Sequence, residues 1–302
     1  MEAWAEQAVM HVRTGTLPSK FVYLGRGAEE AARYEEDGYN ASITRAHLAT
    51  EGALLRLANW EPRGNRIFDV GPGNGSHAVA LLQQIATRDD PNLRLEYIAV
   101  DISDRMANMA ATRVQLAFPF ARVAVLELDI EKDAPASITC HPDGGDLTLF
   151  LGHTLGNVED VDSCLRNLRR LVMNGFVLLN CATMSSKATA ADYLRPYRNS
   201  QYERGAMAPL VGLGAEPGSL SVEIEFDHDE QAVLTYVVNA SPLNLSSPGG
   251  SVVVLPAGTR TRVFVSRRFC PTDLESRLVA CGFRVVGRSI DDGQGAANFL
   301  LV

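Results

Sequence analysis

The sequence predicts an α/β fold: a parallel sheet with helices on both faces, carrying a smaller α+β cap. Three observations predict it. Strand-like apolar runs alternate with segments of helical period from Arg66 to Asn180, the βαβ order of a parallel sheet. The first run ends in a glycine-rich turn, Asp69-Val70-Gly71-Pro72-Gly73-Asn74-Gly75. Such a strand–turn–helix junction lets backbone approach a nucleotide-like ligand. From Ser221 the pattern changes to two-residue alternation on either side of Asp227-His228-Asp229-Glu230, the mark of an antiparallel hairpin.

The elements follow in order. Residues 3–13 place Trp4, Ala8, Val9 and Val12 at helical spacing. Residues 20–41 are rich in tyrosine, glycine and acid and read as irregular. Thr44 to Asn59 is helical, with Leu48, Leu54, Leu55 and Leu57 as apolar positions, and Pro62-Arg63-Gly64-Asn65 turns into the first strand. Strands are expected at Arg66–Val70, Leu93–Val100, Arg122–Leu128, Asp146–Gly152 and Gly175–Asn180. The intervening helices are expected at Ser76–Ile85, Asp104–Phe118 and Val161–Leu171. Lys187–Tyr197 is helical until Pro196, and 205–219, with four glycines and two prolines, reads as loop. Ser221–Phe226, Ala232–Ala240, Ser251–Leu255 and Thr261–Phe269 are strands, with a loop at Ser246–Gly250. Pro271–Cys281 is a helix stopped by Gly282, followed by strands at Phe283–Ile290 and Ala296–Val302. The expected division is a core of 60–186 and 265–302, and a substrate-binding cap of 1–59 and 187–264.

Composition narrows the function. A net charge of −8 and a pI near 5.3 give the chain no general attraction for nucleic acid or an anionic membrane surface. No apolar run reaches the length of a membrane span, and the N-terminus lacks a signal-peptide pattern. Five scattered cysteines make no CxxC or Cys/His cluster, so neither a disulfide framework, a zinc site nor any other metal is expected. A cytoplasmic location with reduced thiols is the plain reading. Oligomeric state has no sequence signal.

The turn reads GxGxG, where a nicotinamide-binding turn reads GxGxxG. With Asp69 before Gly71, Gly73 and Gly75, it resembles the turn of S-adenosylmethionine (SAM) methyltransferases, whose core is Rossmann-like. Two further acids fit that resemblance. Asp101, followed by Ile102, ends the second strand, where a carboxylate accepts from both ribose hydroxyls. Asp129 ends the third, where it accepts from the adenine amino group, with Ile130 packed on the ring. One acid at a strand end is ordinary loop chemistry; three in register with a glycine turn share the carboxyl edge where ligands bind. The closing helix, strand, loop and strand resemble the reversed hairpin of the same enzymes.

Phe150-Leu151-Gly152-His153-Thr154-Leu155-Gly156-Asn157 resembles the FLGSTIGN motif of the histidine-specific SAM methyltransferases of the ergothioneine pathway. Lys20-Phe21-Val22-Tyr23 with Gly27, Gly38-Tyr39 with Thr44-Arg45, and Ser266-Arg267-Arg268-Phe269 resemble further segments of that family. The resemblance implies SAM as cofactor, S-adenosylhomocysteine (SAH) as product, and Gly152 beside the cofactor. It implies that Asn157 holds a substrate amino group, with Tyr23, Tyr39 and Tyr197 as the gripping tyrosines. Tyr193 lies four residues before Tyr197, on one face if the helix continues. Without the resemblance, cap packing with a hydrogen-bonded hydroxyl is the favoured account of any one of these tyrosines.

The chain departs from the family at three positions. The family's imidazole-gripping Glu, two residues before Ser266, is Phe264; its motif Ser is His153; and its SAM-carboxylate Lys is His77, which can still donate. A site that loses its polar grip loses recognition of the polar group, so a flatter, more apolar ring such as indole is the expected acceptor in place of histidine. Some bacterial relatives methylate indole C3 in tryptophan-derived alkaloid pathways. A small aromatic acceptor of specialised metabolism, methylated at indole C3, is therefore expected, with Nα-methylation of histidine or tryptophan as the alternative and an inactive methyltransferase-like scaffold as the remote one. His153 and Tyr23 are the candidate catalytic residues, since either can accept a hydrogen bond from the acceptor. His153 is equally readable as a loop histidine that packs or caps. His11, His47, His141 and His228 read as surface histidines.

Overall fold

A computed structural model describes residues 4–36, 38–62, 64–85, 95–132, 145–172 and 175–302, with the backbone alone for 38–46. The chain divides into two compact units. One comprises Met1–Asp37, Asn157–Glu159 and Ala188–Arg267; the other, the core unit, comprises Gly38–Gly156, Asp160–Lys187 and Arg268–Val302.

In chain order the helices are α1 (Trp4–Val12), α2 (Gly27–Glu35), α3 (Gly38–Leu57), α4 (Ser76–Ile85), α5 (Asp104–Ala117), α6 (Thr154–Asn157), α7 (Val161–Val172), α8 (Ala190–Leu194), α9 (Ser200–Gly212) and α10 (Pro271–Ala280). The strands are β1 (Arg66–Val70), β2 (Glu96–Asp101), β3 (Arg122–Glu127), β4 (Leu147–Phe150), β5 (Phe176–Ala182), β6 (Leu220–Asp227), β7 (Ala232–Asn239), β8 (Leu243–Ser246), β9 (Val252–Leu255), β10 (Arg260–Arg267), β11 (Val285–Asp291) and β12 (Ala296–Leu301). Short 3₁₀ turns lie at Ser19–Tyr23, Arg195–Tyr197 and Pro217–Ser219.

The core unit is built on a seven-stranded sheet in the order β11-β12-β5-β4-β1-β2-β3. β1 to β5 pair in parallel, and β12 runs antiparallel to both β5 and β11. The α/β class and the closing reversed hairpin are therefore present. The chain leaves β1 toward β2 and β3, then returns to β4 on β1's other side, so the topological switch point falls at the end of β1. β4 and β12 are buried along their whole length, and their sequences are accordingly apolar apart from Thr148 and Asn298. α4 starts where Asn74 Oδ1 accepts from Ser76 N (2.9 Å), and buries Ala78, Leu81 and Leu82. α5 starts at Ser103, whose hydroxyl accepts from Met106 N, and buries Met106, Ala107, Ala110 and Val114.

α3 clusters with the core unit because Leu48, Leu54 and Leu55 pack with Ile67, Leu81 and Leu82. The sequence reading grouped it with the cap. The other unit holds a three-stranded antiparallel sheet, β10-β7-β6, and the ribbon β8-β9. Its core joins Val9, Val12, Leu17 and Phe21 to Tyr202, Leu210, Val237, Leu245 and Val263.

Three local expectations are corrected. Within 20–36 and 38–41 the chain forms a 3₁₀ turn, α2 and the start of α3. Residues 205–212 are helical because Asn199 Oδ1 caps Tyr202 N (2.8 Å) and Tyr202, Ala206, Pro209 and Leu210 form a buried stripe that outweighs Gly205 and Pro209. β8 replaces an unassigned stretch, pairing Leu243 with Leu255. Cys140 and His141 lie outside the described residues, as do the side chains of Tyr39, Thr44 and Arg45. No described helix is long and apolar enough to cross a membrane.

Candidate functional site

In the core unit, the turn after β1 is shaped by three left-handed glycines: Gly71 (φ 64°), Gly73 (φ 57°) and Gly75 (φ 79°). Gly71 N donates to Val100 O (2.8 Å), which fastens the turn to β2. A Cβ at Gly75 would stand 2.8 Å from Ala110 Cα, so this glycine lets α5 approach as well as setting the turn. Asp69 is 3% exposed and accepts from the Tyr97 hydroxyl at 2.6 Å. Burial pushes its carboxyl up to about 6, against the lowering effect of the Tyr97 hydrogen bond.

Asp101 ends β2 beside that turn. Its Oδ1 accepts from Ser103 N (2.8 Å), and its carbonyl accepts from Leu128 N (2.9 Å), which leads into Asp129. Burial pushes the Asp101 carboxyl up to about 7, with the Ser103 amide pulling the other way and the Asp69 charge adding to the rise. Asp129 Oδ1 accepts from Glu131 N (3.2 Å), and Ile130 O from Asn167 Nδ2 (2.9 Å). Ile102 and Ile130 are half-buried. Three carboxylates and the glycine turn thus lie at consecutive strand ends on one sheet edge. Gly152, after β4, has φ 69° and an exposed position where a Cβ would meet nothing within 4 Å.

The structure adds a buried polar cluster that the sequence reading missed. His77 Nε2 faces Glu51 Oε2 at 2.9 Å; Glu51 is fully buried and its Oε1 has no hydrogen-bond partner among the described residues. His77 was expected to serve the SAM carboxylate, and its Nε2 is committed to Glu51. His47, expected at the surface, is 4% exposed. Its Nδ1 meets Asn298 Nδ2 (3.3 Å), and Asn298 Oδ1 accepts from Asn180 Nδ2 (2.8 Å). His47 and Glu51 sit one turn apart on α3, an i, i+4 pair that was visible in the sequence. The His47 ring stands edge-on to His153, centroids 5.9 Å apart.

His153 itself has φ 66°, a left-handed backbone rare for a non-glycine residue. Its Nε2 is buried and makes no hydrogen bond among the described residues. Burial, then the neighbouring His47 and Arg268, hold its pKa well below the ordinary imidazole value, so the ring is neutral. The donor set fits SAM: carboxyl groups at the strand ends for the ribose diol, a glycine cradle, and a buried Glu51 oxygen that makes no hydrogen bond among the described residues.

The other unit gathers aromatic side chains. Asn157 Nδ2 donates to the Tyr23 hydroxyl (3.4 Å), and Asn157 Oδ1 is buried with no hydrogen-bond partner among the described residues. Phe264, 7% exposed, lies edge-on to Tyr23 (6.4 Å) and to Tyr202 (6.0 Å). The Tyr197 hydroxyl donates to Ser266 Oγ (2.9 Å), and its ring lies edge-on to Tyr202 (5.0 Å). Tyr202 pairs with Thr235 Oγ1 (2.7 Å). Tyr193 stacks on Phe226 (4.9 Å). The expected Tyr193/Tyr197 face therefore does not form: α8 ends at Leu194, a 3₁₀ turn carries Tyr197, and the two rings have different partners. Tyr202 was the residue missed here. The signal was Asn199 ahead of Tyr202, Ala206 and Leu210 at four-residue spacing.

Several solved structures resemble the fold. The CcbJ methyltransferase from Streptomyces caelestis is 14% identical over 83% of this chain and 88% of its own, with a TM-score of 0.40. The sugar N-methyltransferase KedS8 from Streptoalloteichus sp ATCC 53650 is 13% identical over 87% and 92%, with a TM-score of 0.41. Magnesium protoporphyrin IX methyltransferase (ChlM) from Synechocystis PCC 6803, solved with bound SAH, is 13% identical over 94% and 97%, with a TM-score of 0.49. No curated protein sequence matches the chain. The family model described as "Histidine-specific methyltransferase, SAM-dependent" matches residues 8–203. A match over that length, on a chain whose sheet edge carries this glycine turn and these acids, places the protein in the histidine-specific, SAM-dependent methyltransferase family.

Proposed function

We propose that this SAM-dependent methyltransferase methylates indole C3 of a tryptophan- or tryptamine-derived acceptor. The observation that carries the reading is Phe264 set edge-on between Tyr23 and Tyr202. That surface offers ring faces and edges where the family resemblance implies a carboxylate for imidazole. Aromatic walls favour a broad apolar ring. In this reading the unit that contains Tyr23, Asn157, Tyr197, Phe264 and Ser266 binds the acceptor. The strand-end residues Asp69, Asp101, Ile102, Asp129 and Ile130, with the glycine turn and Gly152, bind the cofactor.

SAM, when bound, supplies a methyl group on a sulfonium leaving group, open to in-line attack. The protein's part is alignment and electron supply. Indole C3 becomes nucleophilic when its ring N–H donates to an acceptor. His153 Nε2 suits that role because it is neutral, buried and makes no other hydrogen bond among the described residues. With SAM as methyl donor and SAH as leaving group, methylation at C3 would cost the ring nitrogen its proton, and His153 Nε2 is placed here as the group that would accept it. The low pKa of His153 favours this hydrogen-bond role over deprotonating an ammonium group, whose proton is held far more tightly. Tyr23 is the second candidate acceptor.

A second reading, Nα-methylation of histidine or tryptophan, is favoured by Asn157. Its buried Oδ1, without a hydrogen-bond partner among the described residues, matches an amino N–H. One experiment separates the two. The protein is incubated with labelled SAM and histidine, tryptophan, N-acyl tryptamines and tryptophan diketopiperazines, and each product is fragmented. Label on the indole of a tryptophan-derived compound is expected; label on the α-nitrogen supports the second reading. Turnover of histidine alone would sink the indole assignment.

A further inference from the structure

The structure assigns Glu159 as a positioning residue of the acceptor site, a role that rests on the reading of Tyr23, Asn157 and Phe264 given above. The tripeptide Asn157–Glu159 belongs to the acceptor unit although the residues on either side of it belong to the core unit. Glu159 is what ties it there. Its Oε1 accepts from Ser19 N (3.2 Å), the first residue of the 3₁₀ turn that ends in Tyr23. Its Oε2 takes Arg262 Nη2 (2.6 Å), two residues before Phe264 on β10. Both ion-pair partners are largely shielded, with side chains 17% and 26% exposed, which strengthens the pair relative to a surface one.

Further bonds stiffen the same junction. Arg267 Nη1 donates to the Val158 carbonyl. Val265 N donates to Ser19 Oγ (3.0 Å), and Leu17 N to Arg262 O (2.7 Å). β10 shifts register between Arg262, opposite Tyr236, and Phe264, opposite Thr235, so the Glu159 pair holds the strand on one side of this irregularity. One carboxylate therefore joins the three segments that carry Tyr23, Asn157 and Phe264. Its bonds to Ser19 and Arg262 both lie within the acceptor unit, so their effect is on holding the acceptor and not the cofactor.

The test compares Glu159→Ala and Glu159→Gln with Arg260→Ala, which removes the exposed pairs that Arg260 makes across β7 with Glu223 and Glu225 of β6 in the same unit. Hydrogen exchange is read on peptides covering 17–24 and 155–160, SAH affinity by calorimetry, and kinetics on the fastest acceptor of the panel above. Glu159→Ala is expected to speed exchange in both peptides and raise the acceptor KM about tenfold, with kcat and SAH affinity nearly unchanged. Glu159→Gln keeps the Ser19 bond and folds with less perturbation; a KM rise of about threefold is expected. Arg260→Ala should change none of these. Unchanged exchange in both peptides of Glu159→Ala overturns the positioning role. Faster exchange with an unchanged KM leaves Glu159 as a positioning group and refutes instead the assignment of Tyr23 and Asn157 to the acceptor.

Discussion

At His153 the backbone and the side chain point to the same role. A β-carbon at φ 66° costs about 1–2 kcal/mol relative to glycine, and the ring gives its Nε2 no hydrogen bond among the described residues in return. The FLGSTIGN resemblance marked the position, and the strain and the depressed pKa could be read only from the structure. Neighbouring chain positions do not report that His47 and Arg268 flank the ring. His153→Asn tolerates the left-handed backbone and removes the ring. It is expected to lower kcat on an indole acceptor about 100-fold while leaving SAH affinity intact. With saturating SAM, the wild-type kcat should show no inflection near pH 6.5, because the ring is already neutral there. A pH profile with a clear step at that value, or an Asn variant with full kcat, would remove His153 from the mechanism.

The elements of the parallel sheet edge were legible because each carries a local signal: the strand-like runs, the glycine turn and the acids at the strand ends. In the other unit α1, β6, β7, β9 and β10 were legible from their periodicity, whereas α2, α9 and β8 were not. α9 was hidden by Gly205 and Pro209, whose helix-breaking tendency is local, whereas the buried stripe that overrides it depends on distant partners such as Thr235 and Phe264. The glycines of the turn divide by what they face. Gly75→Ala places a methyl 2.8 Å from Ala110 Cα, in a backbone conformation that disfavours it, and is expected to cost roughly 2–4 kcal/mol and abolish SAH binding. Gly152→Ala opens onto free space, so only the backbone term of about 1–2 kcal/mol applies. Denaturant melts of the two variants check the difference. Equal losses would mean that the approach of α5 to Gly75 does not matter to the turn.

Across the whole molecule, buried ionisable groups oppose one another. Asp69 and Asp101 have pKa values raised from 3.8 to about 6 and about 7, so the stability they contribute is complete below 3.8 and fades as pH rises through those values. His47 and His153 are held below 6.5, so the stability they contribute is present above 6.5 and fades as pH falls. The two effects run in opposite directions as pH changes, so the free protein's melting temperature depends on pH less than either pair alone would make it. Ligand binding breaks the balance. In the role proposed for Asp101, its ionised carboxylate accepts from both ribose hydroxyls, so SAH binding in that role releases the proton that burial favours there. SAH affinity should therefore rise by up to about tenfold per pH unit from about 5.5 toward 7 and level off above it. The melting temperature measured with excess SAH should climb over the same interval, because stabilisation follows the logarithm of ligand over Kd. Asp101→Asn keeps the size and loses the charge; it should bind SAH weakly and with no pH dependence below about 7. NAD(H) at the same concentration should leave the melting temperature unmoved at every pH. If the wild-type SAH shift is flat from about pH 5.5 to 8, or Asp101→Asn retains the slope, the carboxylate at the end of β2 is not the ribose acceptor and the proton is released elsewhere.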